Sequence, residues 1–239
     1  MEWTKAAVTN RLAEISQKGF IPIPEGKYRN DDGIVGQILE REFDVPENNL
    51  HLADLGTYEL KGMRKKKKGA NRMTLFHKTS TSGLSPLQLF ERFCYVAPSK
   101  RTGEMKKKFF TTVKGSKLNK KGFILRPISE QVIELYYHDE YLATWDLTDE
   151  RDKINRIIFA LAETQGKTNS KEERFHFVEA YILSEPKGLA PAIFDGSVDM
   201  DFCIDQPADE SKVPHDRGPH IRISVKKLDH LFLQIERIL

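Results

Sequence analysis

Residues 53 to 68 read ADLGTYELKGMRKKKK, with carboxylates at Asp54 and Glu59, a lysine at Lys61, and a run of cations behind them. Side chains alternate faces along a strand, so Glu59 and Lys61 point the same way while Leu60 points into a core. A turn at Gly56 brings Asp54, at the end of a preceding strand, back toward Glu59. Two hard oxygen ligands suit Mg2+, which takes one or two carboxylates together with waters and substrate phosphate oxygens. The main-chain carbonyl of Leu60 adds a third protein ligand. Lys61 beside such an ion can polarise or deprotonate an attacking water and offset charge on a pentavalent phosphorane. The spacing D-x4-E-x-K also arises by chance, and the same residues fit a solvated hairpin. Context favours phosphodiester cleavage: a helix bearing Glu40 comes before it and a basic field directly after.

That field is the main feature of the charge distribution. Of 38 Lys and Arg in the chain, 18 lie between residues 61 and 121, with only Glu91 and Glu104 as acids. The segment carries +16 against −13 over the rest, although the formal net charge is +3. Three clusters, Arg64 to Lys68, Lys106 to Lys108, and Lys114, Lys117, Lys120 and Lys121, make a field that attracts nucleic-acid backbones. With 239 residues and 39% hydrophobic content, the chain can bury a sizeable core as one elaborated unit. No apolar run approaches the roughly 20 residues that span a bilayer. The amphipathic N-terminus is no secretory signal, so a cytoplasmic location without membrane contact is expected. Cys94 and Cys203 match no zinc pattern and are expected to be reduced, buried thiols.

The elements that must position these groups follow from periodicity. Helices are expected over residues 4 to 18, ending at Gly19, over 33 to 43 behind Asp31 or Asp32, and over 84 to 94. Further helices are expected over 150 to 165 and over 225 to 239. Strands are expected in LHLAD, TYELKG, MTLFHK, FFTTVKG, GFILRPI, the hairpin VIELYYHDEYLATWDL, FHFVEAYILSE, DMDFCID and HIRISV. Helices mixed with a largely contiguous set of strands indicate an α/β or α+β fold. Residues 207 to 219 form the best loop candidate.

Further chemistry sits in that loop and its neighbours. His215, Arg217, His220 and Arg222 in PHDRGPHIR are donors able to meet guanine N7 and O6, while Asp216 can accept from cytosine N4. The same stretch also fits a charged loop rim, or a two-histidine metal site that lacks a third His or Cys. His77, on the third strand, is open between a structural and a base-contacting role. Asp201 and Asp205 lack a lysine at strand spacing, so they suit a base-reading or scaffold role, with Asp201 the better acceptor of a cytosine amine. Phe109 and Phe110 are taken as core.

VGQILEREF, ADLGTYELKGMR, TLFHK, DFCIDQ and PHDRGPHIRI, in this order, resemble the MutH and MvaI/BcnI group of type II restriction endonucleases, most closely the BcnI branch. The resemblance implies a restriction-endonuclease-like PD-(D/E)XK core of the MutH type, a central mixed sheet flanked by helices with a DNA-clasping cleft. It implies Mg2+-dependent hydrolysis of duplex DNA, with Mn2+ able to substitute. Asp54 and Glu59 correspond to the metal ligands, Lys61 to the signature lysine, and Glu40 to an added helix-borne acid, with Glu42 its competitor. Ala53 replaces the Pro of the signature, a position without chemistry. His77 in TLFHK corresponds to a residue reaching the central base pair, read with His220 from opposite grooves or sides. Arg64 and Lys65 are expected to meet the DNA backbone.

The implied organisation is one endonuclease unit over 1–239 with two lobes around a DNA cleft, 31–78 as the catalytic and 199–225 as the recognition segment. The implied site is CC-N-GG, with CC(C/G)GG favoured over CC(A/T)GG, cut by a monomer in two successive nicks. A cognate DNA methyltransferase is the functional counterpart, without a stable complex. A MutH-like nicking enzyme activated by a partner is the alternative.

Overall fold

The computed structural model describes residues 3–26, 28, 29, 31–45, 53–65, 71–100 and 102–239, without the side chains of 151 and 152. Lys66 to Lys68 and the first residues of the expected strand LHLAD lie outside the described residues. In chain order the first elements are α1 (Lys5–Gln17), β1 (Ile21–Pro22), α2 (Ile34–Glu42), β2 (Glu59–Arg64), β3 (Arg72–His77) and β4 (Ser82–Gly83). Then come α3 (Pro86–Phe93), β5 (Tyr95–Pro98), β6 (Met105–Val113), β7 (Phe123–Pro127), β8 (Val132–Tyr137) and β9 (Glu140–Asp146). They are followed by α4 (Arg151–Asn155), β10 (Arg156–Gln165), β11 (Arg174–Pro186), α5 (Leu189–Phe194) and β12 (Val198–Pro207). The last are β13 (His215–Asp216), β14 (His220–Ser224), α6 (Leu228–Leu231) and β15 (Phe232–Arg237).

The chain divides into two compact units. The first comprises Met1–Met73, Arg151–Lys187 and Phe232–Leu239, and the second Thr74–Glu150 and Gly188–Leu231.

In the first unit, Thr4 caps α1 by accepting the Ala7 N–H at 3.2 Å. Val8, Leu12 and Ile15, spaced at helical intervals, are buried. Past the helix end Gly19 adopts φ +68°, a conformation that glycine enters without a Cβ penalty. Before α2, the Asp31 carboxylate accepts the Gly33 N–H at 2.8 Å. Ile34, Val35, Ile38 and Leu39 of α2 are buried. The sheet runs β1-β11-β10-β2, with β15 also on β11; β2 and β10 are parallel, with Glu59 opposite Ile157. A Cβ at Gly62 would lie 2.7 Å from the Val35 carbonyl oxygen. Glycine there lets the α2 backbone rest directly on β2.

In the second unit, one sheet has the order β3-β14-β12-β6-β5 with β13 on β12, and the other the order β4-β9-β8-β7. Ser85 and Gln88 close a reciprocal capping box at the start of α3, with Pro86 at its first helical position. Phe93, Phe109, Phe123, Phe202, Tyr137 and Trp145 form an aromatic cluster at the centre of this unit.

Two expected helices are strands. Residues 150 to 165 hold only the short α4 before β10, whose residues 157 to 162 are all buried. A continuous apolar run carries no periodicity that separates a buried helix from a strand covered on both faces. Likewise 225 to 239 contains the one-turn α6 and then β15, which completes its ladder on β11. Residues 53 and 54 of LHLAD are not in a strand, and Asp54 sits in a turn. Cys94 and Cys203 are free but half-buried.

Candidate active site

The turn that carries Asp54 is closed by Gly56 N–H donating to Ala53 O at 3.1 Å and Leu55 N–H donating to Tyr58 O at 2.9 Å. Gly56 takes φ +77°, the conformation expected of a glycine turn. The turn aims the Asp54 carboxylate at β2, where Oδ2 accepts the Leu60 N–H at 2.8 Å. Among the described residues β2 ends its sheet, its edge away from β10 being free of a partner strand, and Lys65 N–H donates to Ala162 O on β10. In a parallel ladder a residue's N–H and C=O point to the same side, and successive residues alternate. The backbones of Glu59, Lys61 and Lys65 therefore face β10, while the Leu60 carbonyl faces the free edge, on Asp54's side.

Leu60 is buried, and Glu59 and Lys61 project together from the opposite face, paired at 2.6 Å. Glu40, on the last turns of α2, belongs to the same electrostatic group. Its carboxyl is raised above the ordinary range by burial, then by Asp54 and Glu59, with Lys61 opposing. Asp54 is raised by burial and by Glu59, against the lowering effect of the Leu60 amide and Lys61. Glu42, the competitor of Glu40, is occupied by Lys18 at 2.5 Å. The structure thus brings Glu40, Asp54, Glu59 and Lys61 together. Among the described residues no group of three or more His, Cys, Asp or Glu is placed to hold a metal ion. The Asp54 and Glu59 carboxylates and the Leu60 carbonyl are hard oxygen donors, of the kind Mg2+ takes together with water and phosphate oxygens.

Arg64 is corrected. Its guanidinium is only 9% exposed and is bound by Glu173 at 2.7 and 2.8 Å, Asp32 at 2.6 Å and the Asn169 side chain at 2.8 Å. An internal ion network, not a DNA backbone, holds this cation. Glu173 is fully buried; burial alone would raise its carboxyl, but Arg64 and the Asn169 amide hold it below the usual range. Lys65 lies 2.7 Å from Glu179 and 3.8 Å from Glu163. The Lys106 to Lys108 cluster is similarly engaged, by Asp205 at 2.8 Å, by Glu210, and by the Pro98 carbonyl at 2.6 Å. Much of the positive excess read from the sequence is neutralised locally.

In the second unit, TLFHK and PHDRGPHIR are brought together. His77 Nδ1 lies 3.2 Å from the Arg217 carbonyl oxygen, and its ring centroid is 4.2 Å from that of His220. The two histidines therefore form one contacting pair, which corrects the expectation of approach from opposite grooves or sides. His220 Nδ1 lies 3.4 Å from the Asp201 carbonyl oxygen. A carbonyl only accepts, so each Nδ1 carries the hydrogen, and the His220 ring, when neutral, leaves Nε2 as an acceptor. Burial, His77 and Arg222 push His220 down to about 4, so it is neutral near pH 7. The expectation of His220 as a donor to guanine is corrected accordingly.

Asp216 accepts the Gly218 N–H at 2.8 Å and closes the loop turn, which places Gly218 beside His77. His215 is exposed opposite Asp205, and the exposed Arg217 lies 3.6 Å from Asp205. Arg222 donates from Nη1 to Asp201 Oδ2 at 2.6 Å and from Nε to Thr74 Oγ1 at 3.2 Å. Thr112 Oγ1 donates to Asp201 Oδ1 at 2.5 Å. Both carboxylate oxygens of the buried Asp201 are thus engaged inside the protein, in place of the expected acceptance from cytosine. Thr74 and Thr112 were not singled out in the sequence, because nothing local marks a hydroxyl whose partner comes from a distant strand.

The family model of the MvaI/BcnI restriction endonuclease family matches residues 9–232. The chain belongs to the MvaI/BcnI restriction endonuclease family. As a member it is a type II site-specific deoxyribonuclease, an enzyme that acts on DNA. Among solved structures, the complex of restriction endonuclease MvaI with its cognate DNA substrate aligns with a TM-score of 0.76 at 18% identity, covering 99% of this chain and 100% of that one. MvaI in the absence of DNA aligns with a TM-score of 0.49 at 17% identity over the whole of both chains. The first similarity shows a shared mixed α+β fold. No curated protein sequence matches the chain. Restriction endonucleases generally use a divalent metal. No described helix of this family member is long and apolar enough to cross a membrane.

Proposed function

We propose that this family member is a Mg2+-dependent endonuclease with a PD-(D/E)XK core of the MutH type, cutting duplex DNA at a CC-N-GG site, best CC(C/G)GG. The observation that carries it is the carboxylate cluster on β2, where Asp54 accepts the Leu60 amide beside the Glu59–Lys61 pair and two carboxyls are raised by burial and mutual repulsion. Asp54, Glu59 and the Leu60 carbonyl would hold the metal, with Mn2+ able to substitute. When bound, the ion supplies Lewis-acid polarisation of the phosphodiester and lowers the pKa of an attacking water.

The remaining work falls to the chain's own residues. Lys61 steadies the Glu59 carboxylate, assists the attacking water and offsets charge on the phosphorane. Glu40 adds a second acidic position from the helix. The 31–78 segment carries catalysis and 199–225 carries recognition, with Lys65 a candidate for the DNA backbone. His220, with Nε2 as acceptor, suits the amino hydrogens of bases and His77 packs beside it, whereas His215, Arg217 and Arg222 offer donors to guanine and Asp216 an acceptor to cytosine. The fold shared with MvaI bound to its cognate DNA supports duplex DNA as the partner. The protein would act in the cytoplasm as a monomer, nicking one strand and then the other, and pair functionally with a DNA methyltransferase.

The test is purified protein on supercoiled plasmid of known sequence, with Mg2+ or EDTA, beside Glu59→Ala. Discrete fragments with Mg2+ and intact Glu59 only, after accumulation of open circles, are expected, and the fragment ends give the central base pair. Ends at CC(A/T)GG would move the site to the rival sequence. An untouched plasmid would favour the partner-activated nicking alternative.

A further inference from the structure

The polar face around β12 holds one residue whose surroundings contradict a direct role in base contact. Asp201 is 9% exposed, and its two oxygens are taken by Thr112 on β6 and Arg222 on β14. Both donors come from strands laddered to β12, which pairs Asp201 with Thr112 on one side and with His220 on the other. Cys203 adds a weak S–H contact to Oδ2 at 3.8 Å. From β3, Thr74 Oγ1 holds the Nε of the same arginine.

Arg222 is therefore gripped at two of its three nitrogens, and no described residue is a partner of Nη2. An arginine side chain loses considerable rotamer freedom when a ligand fixes it. Here the protein fixes it in advance, on sheet strands, through a charge-neutral pair between the half-buried arginine and the buried Asp201. Preorganisation of that kind lowers the cost of binding and sharpens discrimination.

We propose that Asp201 and Thr112, with Thr74, form a clamp that positions Arg222, and that they set base preference through its guanidinium without touching a base. This rests on the reading of Arg222 as a donor to a recognition-site guanine. In that role Nη2 meets N7, with the outer hydrogen of Nη1 available to O6.

The test uses full-length protein and duplexes in which each guanine of the cleaved site is replaced in turn by 7-deazaguanine, which lacks the N7 acceptor. A second set removes the 4-amino group of each cytosine. Affinity and kcat/KM are measured for wild type, Arg222→Ala, Asp201→Asn, Thr112→Val and the double variant Asp201→Asn/Arg222→Ala. One base contact discriminates by about 5- to 100-fold. The wild type is expected to lose that much at one guanine, and Arg222→Ala to be blind to the same replacement. Asp201→Asn and the isosteric Thr112→Val should lose most of that sensitivity while keeping their far-UV circular dichroism. The double variant should be no worse than Arg222→Ala alone.

If Arg222→Ala is blind but Asp201→Asn and Thr112→Val retain full sensitivity, the clamp is overturned and the guanine reading stands. If Asp201→Asn instead becomes blind to loss of a cytosine amine, Asp201 is a base contact and the clamp is again overturned. If Arg222→Ala keeps every wild-type sensitivity, the guanine reading fails and takes the clamp with it. Thr112→Val keeps the outcome decisive should the buried Asp201 variant fold poorly.

Discussion

In the first unit, Glu40, Asp54 and Glu59 share Lys61 as a cation, with Arg29 also acting on Glu40, yet burial and mutual repulsion raise Glu40 and Asp54. In the second, Asp201 is matched by Arg222 and Thr112, and Asp205 by Lys106 and Arg217. One set of acids is held in tension and the other is settled. In the proposed function, the contrast follows from what each would meet. A cation brings its own compensation, so a site for it is left short of positive charge. A base edge brings neutral donors and acceptors, so the groups that face it must arrive already balanced and fixed. The same logic operates within the first unit, where the buried Glu173 is closed by Arg64 and is no place for a metal.

The sharpest way to break this contrast is to relieve the tension. Asp54→Asn should lower cleavage by more than about 100-fold, since groups merely supporting a metal ligand already cost 10- to 100-fold. It should also raise the melting temperature in EDTA at neutral pH, because a charge costly in the metal-free fold is gone. A fall in both would place Asp54 among the ordinary structural carboxylates. Arg64→Ala should do the reverse and destabilise by about 3 to 5 kcal/mol in urea unfolding, because it strands the buried Glu173.

Acidification should separate the two units by sign. A carboxyl raised in the folded state costs stability above its folded pKa, so metal-free protein regains stability from Glu40 and Asp54 as pH falls through those values. His220, at about 4 against 6.5 when unfolded, acts oppositely. Its contribution is intact above pH 6.5 and is lost toward pH 4, by up to about 3 kcal/mol. Urea unfolding of His220→Gln across this range should show a shallower acid loss than the wild type, and that of Asp54→Asn a steeper one. The smallest effect is expected from Ser85→Ala, which removes the α3 cap for about 1 kcal/mol and leaves site preference unchanged on a cleavage panel.

How much of this the sequence disclosed depends on the range of the interaction. α1, α2 and the Glu59–Lys61 pair follow from spacing within a few residues. The turn at Gly56 was also legible, although Asp54 belongs to the turn and not to a strand. β10 was not, since residues 157 to 162 are apolar throughout and only a neighbouring strand on each side makes them a ladder. β15 was hidden because LDHLFLQIERIL has a helical pattern, overruled by pairing with β11. The fate of charges was the least visible. Arg64 stands in a basic run, yet its partner Glu173 is 109 positions away. Asp201 looked like an acceptor for a base because Thr112, 89 positions away, cannot be paired with it from composition.

The turn that carries Asp54 also bears on the edge of β2 that no described strand pairs. An open edge invites another chain to add a strand, and the usual defence is to cover it. Here a carboxylate of the same chain occupies the Leu60 amide that an incoming strand would seek. A phosphodiester brings acceptors and needs no such seat beside a cation, whereas a peptide finds its first donor already taken. In the proposed role, that edge would admit a nucleic acid and discourage an added strand.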